Sequence, residues 1–271
     1  MIAKILIDNI TKNDLICEWG LSFYIEYNGH KILLDTGASG NFAENAKQMG
    51  IHLDEIEYGV LSHAHYDHAD GMPTFFEENK TAKFYLRKGA GENCYGKKNF
   101  FMYKYNGIQE GILGNYAERI EYVEGDYKLL EGVYLIPHKV QGLEAIAKKA
   151  SLFVKENGKM FPDDFAHEHS LVFDTPKGLV VFNSCSHGGV DNIITEVLAT
   201  FPEKEICAYI GGLHLYKATE EDVRALAKRT KETGITKIIT GHCTGDEAFA
   251  ILKEELGDII EQMYTGMEIE L

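Results

Sequence analysis

No stretch of the chain approaches the ~18 consecutive apolar residues that a membrane helix needs. The opening run, residues 1–8, reaches Asp8 too soon and lacks a small-residue cleavage site. It reads as a strand rather than a signal peptide, and a cytoplasmic location is the resulting expectation. Cysteine is sparse and dispersed: Cys17, Cys94, Cys185, Cys207 and Cys243, with no close pair of zinc-finger or dithiol spacing. An odd count in such a chain points to free thiols rather than a disulfide frame. Cationic residues are outnumbered, 27 Lys and Arg against 42 Asp and Glu, for a formal net charge of −15. A nucleic-acid binder needs a cationic stripe to displace counterions, and this balance argues against one. The short basic stretch Arg87-Lys88 and Lys97-Lys98 reads as a solvated loop. No Pro-, Ser- or Gly-rich linker divides the sequence, so its 271 residues are expected to form a single domain, 1–271, with a sizeable core.

Strand-like runs alternate with amphipathic helical patterns. Residues 23–27 and 31–34 flank Asn28-Gly29, a hairpin turn signal. The second strand ends in Asp35-Thr36-Gly37. A helix is expected from Ser39, with Phe42, Ala46 and Met49 on one face and Gly50 as its stop. A short buried strand over 56–62 follows, and Met72-Pro73 opens another helix. Residues 87–128 mix glycines with Tyr95, Phe100, Phe101, Tyr103, Tyr105 and Tyr116 and read as an irregular insertion, facing substrate or simply packed. In the second half, strands are expected at 170–174 and 178–183, then a helix with Asp191 as its cap. A strand at 207–210, a helix opened by Thr219 and stopped by Gly234, and a strand at 236–240 complete the pattern.

The densest feature is His63-Ala64-His65-Tyr66-Asp67-His68, at the end of the 56–62 strand. Three imidazoles and a carboxylate in six positions, on the rim of a rigid sheet, are a metal-ligand pattern. Imidazole suits zinc, iron and other first-row metals, and a carboxylate widens the choice. Packing alone seldom produces such a run, because each buried imidazole needs a polar partner. Other strands end the same way: Asp35, His187, His214 and His242 each sit in a polar turn after a strand. In layered α/β proteins ligands collect at the carboxyl ends of strands.

Asp35-Thr36-Gly37, then His63-x-His65-x-Asp67-His68, then strand-end histidines as far as His242, resemble the metallo-β-lactamase superfamily over nearly the whole chain. The resemblance implies an α/β (α+β) four-layer αββα sandwich with a metal pair at one edge. It implies that His63 and His65 ligate one metal, that Asp67 and His68 ligate a second, and that His242 completes the second site. Asp35 would orient the cluster through hydrogen bonds. Many members place a bridging aspartate after the central strand of the second half. Here that strand runs into Ser184-Cys185-Ser186-His187, with no aspartate at the turn. His187 is then the natural substitute ligand, which leaves one or two ions open. Glu168 and His169 are expected around the ligands or against substrate. Cys185 is expected beside the site, with an inert buried thiol as its plain reading.

The turns Cys185-Ser186-His187-Gly188-Gly189, Gly211-Gly212-Leu213-His214 and Thr240-Gly241-His242-Cys243-Thr244-Gly245 resemble one branch of that superfamily. The branch includes a dihydropterin–ribofuranosylaminobenzene-phosphate synthase. The implied chemistry is a metal-dependent hydrolase or related transferase acting on a small, phosphorylated or pterin-like molecule. Its cofactor would be one or two divalent ions, zinc first, with iron or manganese also suited, used to activate water. Asp67 would combine ligation with orientation of the nucleophile. His214 is a candidate general acid or oxyanion contact, against the alternative of a histidine simply bonded in its loop. Two other readings stay open: a di-iron redox protein of the same fold, and a non-catalytic metal-binding module. No membrane or nucleic-acid partner is expected, and the oligomeric state is open.

Overall fold

A computed structural model describes residues 1–99 and 101–271, so Phe100 lies outside the described residues. The chain forms two compact units. The first comprises Met1–Glu124, Gly142–Glu168 and Tyr264–Glu270, and the second Gly125–Gln141, His169–Met263 and Leu271.

The first unit is built on a seven-stranded sheet. Its spatial order is Glu268–Glu270, Ile2–Ile7, Ser22–Tyr27, His30–Leu34, Tyr58–Val60, Lys83–Arg87 and Ile120–Val123. The first four run antiparallel to their neighbours, and the last four are mutually parallel. The expected hairpin is present: Tyr27 pairs with His30, and Asn28 and Gly29 both adopt positive φ, 51° and 84°. That backbone matches the twist of the flanking strands, which is why Asn-Gly favours it.

Helices Asn41–Gln48 and Met72–Glu78 bury Phe42, Ala46, Met72, Phe75 and Phe76 against Leu6, Leu33, Leu61 and Phe84. Pro73 sits in the first turn of its helix, where its missing N–H has no intrahelical partner to lose. Gly50 lies just past the first helix at φ 69° and returns its N–H to the Lys47 carbonyl, the stop that a residue without Cβ adopts cheaply.

The 87–128 segment is more regular than its glycines suggest. Cys94–Asn99 and Met102–Tyr105 form an antiparallel pair, extended by Leu152–Glu156 and Lys159–Pro162 into a four-stranded sheet. Aromatics facing one another across strands hold it. The rings of Tyr95 and Tyr105 lie 5.2 Å apart, as do those of Tyr103 and Phe153.

The second unit carries its own seven-stranded sheet, in the order Ile260–Gln262, Ile238–Thr240, Ile206–Ile210, Gly178–Phe182, His169–Thr175, Val133–Pro137 and Tyr127–Leu130. The first four are parallel, so the turns after Phe182, Ile210 and Thr240 emerge at one edge of this sheet. Helices Val190–Thr200, Glu220–Glu232 and Asp246–Leu256 contribute Ile193, Ile194, Val197, Val223, Leu226, Ala248 and Leu252 to its core. Thr219 caps the second helix as expected, its hydroxyl accepting the Asp222 N–H. Asp191 does not cap the first: Gly189 holds the cap position, and Asp191 lies in the first turn, paired with Arg229 at 2.6 Å. Among the described residues no helix is long and apolar enough to cross a membrane.

Candidate metal centre

In the first unit, the strand His30–Leu34 ends in Asp35, whose φ of 61° is unusual for a residue with a Cβ. That turn aims the carboxylate at the next parallel strand. Oδ1 accepts the Ser62 N–H at 2.7 Å, and Oδ2 accepts the Ser62 hydroxyl at 2.7 Å and the His68 Nδ1–H at 2.8 Å. Ser62, having donated to Asp35, is left to accept from His63 Nδ1 at 2.8 Å. Both rings are therefore set with the proton on Nδ1 and the lone pair on Nε2. That is the tautomer a metal-ligating imidazole needs, and the hydrogen bond behind it raises the basicity of the other nitrogen.

The rest of the 63–68 turn is pinned by its backbone. Thr36 donates from its N–H and its hydroxyl to the His68 carbonyl, Leu21 N–H reaches the Asp67 carbonyl, and Tyr66 N–H reaches the Asn106 carbonyl. The His63 ring centroid lies 4.1 Å from that of His68 and 4.7 Å from that of His65. Asp35, His63, His65, Asp67 and His68 are all buried. Three imidazoles at this spacing, two of them with their tautomers fixed from behind, fit a cation. Burial is hard to reconcile with a solvated histidine loop.

A second cluster in the same unit escaped the sequence. One donor atom each of His65, Cys94, Asp163 and His167 lies within 4.8 Å of the others, all buried. His167 Nε2 meets Asp163 Oδ2 at 3.0 Å, and His167 Nδ1 accepts the Ala64 N–H at 3.2 Å. Burial pushes the Asp163 carboxyl up, but His167 and the Phe165 N–H outweigh it and hold it down at about 2. The Ala64 N–H needs an unprotonated Nδ1, which places the ring proton on Nε2, toward Asp163. No motif marks Asp163. An acid four residues before a histidine is a helical signal, and this segment is a loop.

In the second unit three strand-end turns converge. Ser186, at φ 55°, shares its hydroxyl with the Gly212 carbonyl and the Tyr209 hydroxyl, each at 2.6 Å, while Asn183 Oδ1 accepts its N–H at 2.8 Å. Gly212 N–H returns to the Ser184 carbonyl at 2.8 Å. His214 and His242 also have positive φ, 49° and 47°. Of the eight non-glycine residues with positive φ among the described residues, Ser186, His214 and His242 belong to these three turns, and Asp35 to the strand end of the first unit. Such strain persists where the surroundings over-determine it, characteristically at functional sites.

The Cys185 and Cys243 sulfurs are 3.3 Å apart, and the His214 N–H donates to Cys243 Sγ at 3.2 Å. Cys185 Sγ also lies within 4.8 Å of a ring nitrogen of His187, of His214 and of His242. The His187 and His214 rings are 4.5 Å apart. Burial raises the Cys243 thiol, yet the Cys185 hydrogen bond, the neighbouring His242 and the His214 N–H hold it well below the usual thiol range. His187, His242, Cys185 and Cys243 are buried, and His214 is half-buried. Among the described residues His214 Nδ1 has no hydrogen-bond partner. Glu168 and His169 are buried where the strand His169–Thr175 begins.

A family model described as "Metallo-beta-lactamase superfamily" matches residues 20–147. A 7,8-dihydropterin-6-methyl-4-(β-D-ribofuranosyl)-aminobenzene-5′-phosphate synthase from Methanocaldococcus jannaschii is 30% identical, over 93% of this chain and 89% of its own length. The crystal structure of Tm1679, a metal-dependent hydrolase of the β-lactamase superfamily, matches with a TM-score of 0.86 at 30% identity, over 100% of this chain and 99% of that one. A diphosphatase of the PhnP family matches with a TM-score of 0.55 at 13% identity, over 100% of this chain and 97% of that one, a likeness of fold alone.

Proposed function

The chain belongs to the metallo-β-lactamase superfamily, in the branch of the dihydropterin–ribofuranosylaminobenzene-phosphate synthase-like proteins, and from that premise we propose a metal-dependent hydrolase or related transferase acting on a small phosphorylated or pterin-like molecule. The fold family implies divalent metal binding, and candidate ligand groups are present in the chain. The proposed ligands are His63, His65, Asp67, His68, His187 and His242, with Asp35 orienting the first set and residues 1–271 acting as one domain. The observation that carries this reading is the Asp35–Ser62 arrangement, which leaves the Nε2 lone pairs of His63 and His68 as the donors.

When bound, a divalent ion supplies Lewis acidity and lowers the pKa of water from ~15.7 to ~7. The chain's own residues do the rest. Asp67 orients the nucleophile. In this reading His214 gives a proton to a leaving group or meets a developing negative charge; its half-buried ring, with Nδ1 lacking a hydrogen-bond partner among the described residues, supports the role. The pterin-like and phosphorylated substrate class is suggested by the name of the Methanocaldococcus relative.

Zinc is the metal proposed. Elemental analysis distinguishes it from iron or manganese and gives the stoichiometry. Turnover of phosphodiesters, phosphomonoesters, thioesters and lactones with defined metals tests the reaction. Hydrolysis of one class supports the proposal. Redox activity of an iron-loaded chain, with no hydrolysis in any class, would replace it.

A further inference from the structure

We propose that the outward face of the four-stranded sheet is a binding platform for a phosphorylated heteroaromatic compound, its ring lying on tyrosines and its phosphate on lysines. The inference rests on the metal-enzyme reading above and deepens it, by naming where such a substrate is held.

Direct cross-strand partners share a face, and so do alternate residues along a strand. Tyr95 pairs with Tyr105 and with Phe153, Lys97 with Tyr103, and Lys155 with Met160. One face therefore carries Tyr95, Lys97, Tyr103, Tyr105, Phe153 and Lys155, and no acid. The opposite face is the anchored one: Cys94 and Val154 enter the core of the unit, and Leu152 packs with Phe165. Tyr95, Lys97, Tyr103 and Tyr105 are half-buried and Lys155 is exposed, so the tyrosine face reaches solvent.

Rings and cations alternate along it. The Tyr95–Tyr105 pair has Lys155 Nζ 5.9 Å from the Tyr95 ring. The Tyr103–Phe153 pair has Lys97 Nζ 5.9 Å from one ring and 5.8 Å from the other. Lys97 and Lys98, expected in a solvated loop, lie on a strand. The four strands together hold Lys97, Lys98, Lys104, Lys155 and Lys159 against Glu156 alone, in a chain whose formal net charge is −15. A cationic patch on so acidic a chain complements an anion, and tyrosine faces take a planar ring by stacking.

The platform is tied to the turn that carries the proposed ligands. Asn106 donates its N–H to the Cys94 carbonyl and accepts the Tyr66 N–H, each at 3.1 Å, and Gly107 pairs with His65 in an isolated bridge. The Tyr105 ring lies over Gly107, where a Cβ would stand 3.1 Å from its Cζ and hydroxyl oxygen. From Gly107 back to Tyr103 an extended chain covers about 13 Å, room for a fused ring and a phosphorylated tail.

The probes are flavin mononucleotide and riboflavin, which share a fused pteridine-containing ring and differ by the phosphate. Stacking on tyrosine quenches flavin emission, so titration of the purified full-length chain reads binding without turnover. Flavin mononucleotide should quench saturably, and riboflavin should bind about tenfold more weakly. Lys97→Gln combined with Lys155→Gln should bring flavin mononucleotide down to the riboflavin level, and added salt should do the same, because exposed charges are screened. Tyr103→Leu should weaken both probes, with the circular dichroism and metal content of wild type. The lysine variant decides alone if Tyr103→Leu fails to fold. No quenching in wild type, equal affinity for the two probes, or flavin mononucleotide binding that the variants leave unchanged would overturn the inference. Metal content and hydrolysis, measured separately, decide the metal-enzyme reading.

Discussion

The backbone N–H of Ala64 donates to Nδ1 of His167, 103 positions away along the chain, at 3.2 Å. Ala64 separates His63 from His65, so this bond clamps the peptide on which two proposed ligands are mounted. His167 is in turn held by Asp163, and both are buried. Replacing His167 with alanine frees the clamp and strands the Asp163 carboxylate. The expected cost is about 3–5 kcal/mol, the range for stripping a buried charge of its partner, seen as a lower urea midpoint. An unchanged midpoint would show the clamp to be incidental. The pair also sets an acid limit. Asp163 is depressed to about 2, so its stabilisation is complete above the unfolded value near ~3.9 and is lost as pH falls through about 2.

Asp70 has the opposite sign. Burial, with a smaller push from Asp67, raises its carboxyl to about 6 against the opposing Gln109 N–H. The folded chain therefore holds this proton more tightly than the unfolded chain. The contribution to stability is complete below about pH 4 and is lost as pH rises through about 6. Asp70→Asn keeps an acceptor for Gln109 and removes the titration. It should raise stability by about 1 kcal/mol near pH 8, a figure discounted because the group is only partly buried, and by less near pH 4. Urea midpoints at the two pH values check this, and equal effects at both would contradict it.

Asp35→Asn tests how the histidines are oriented. Asparagine offers one acceptor oxygen where Asp35 uses two, and its NH2 would confront the Ser62 hydroxyl and the His68 Nδ1–H. Metal affinity should fall about 10–100-fold with the fold retained, as for other groups that support a metal-bound imidazole. Competition with a chelating indicator measures it. Wild-type affinity in the variant would dismiss Asp35 as an orienting group.

Much of this was legible from local pattern. The Asn28-Gly29 turn, the helix stops at Gly50 and Gly234 and the Thr219 cap each depend on a few adjacent residues, and the structure places all of them where expected. The 63–68 run announces itself because its donors are consecutive. The features that escaped depend on distance along the chain. Nothing near Asp163 reveals that it backs a residue next to His65, and Cys185 and Cys243 are 58 positions apart yet 3.3 Å in space. Residues 94–105 hid for another reason: glycines next to Tyr95 and after Tyr105 masked an alternating pattern whose partner strand begins at Leu152. Asp191 resembles a cap in sequence, but Gly189 can take the left-handed φ of 90° that the tight turn requires.

Gly212→Ala would add a methyl group 2.5 Å from Cys243 Sγ and 2.8 Å from the Ser184 carbonyl oxygen. The latter is backbone and cannot swing aside. Destabilisation of about 1–3 kcal/mol is expected, the usual cost of overpacking, together with a spread of the two sulfurs. Thermal unfolding measures the first. The second appears as slower formation of a Cys185–Cys243 disulfide under mild oxidation, and a variant as stable and as readily oxidised as wild type would refute both.

The most direct measurement is the metal content of purified wild-type chain beside that of His65→Ala, each by elemental analysis after exhaustive desalting. One or two equivalents of a divalent first-row metal in wild type, with loss of metal and of turnover in His65→Ala, is the predicted result. Full metal and full rate in the variant, or a wild-type chain that retains no metal while remaining active, would contradict the account at its root.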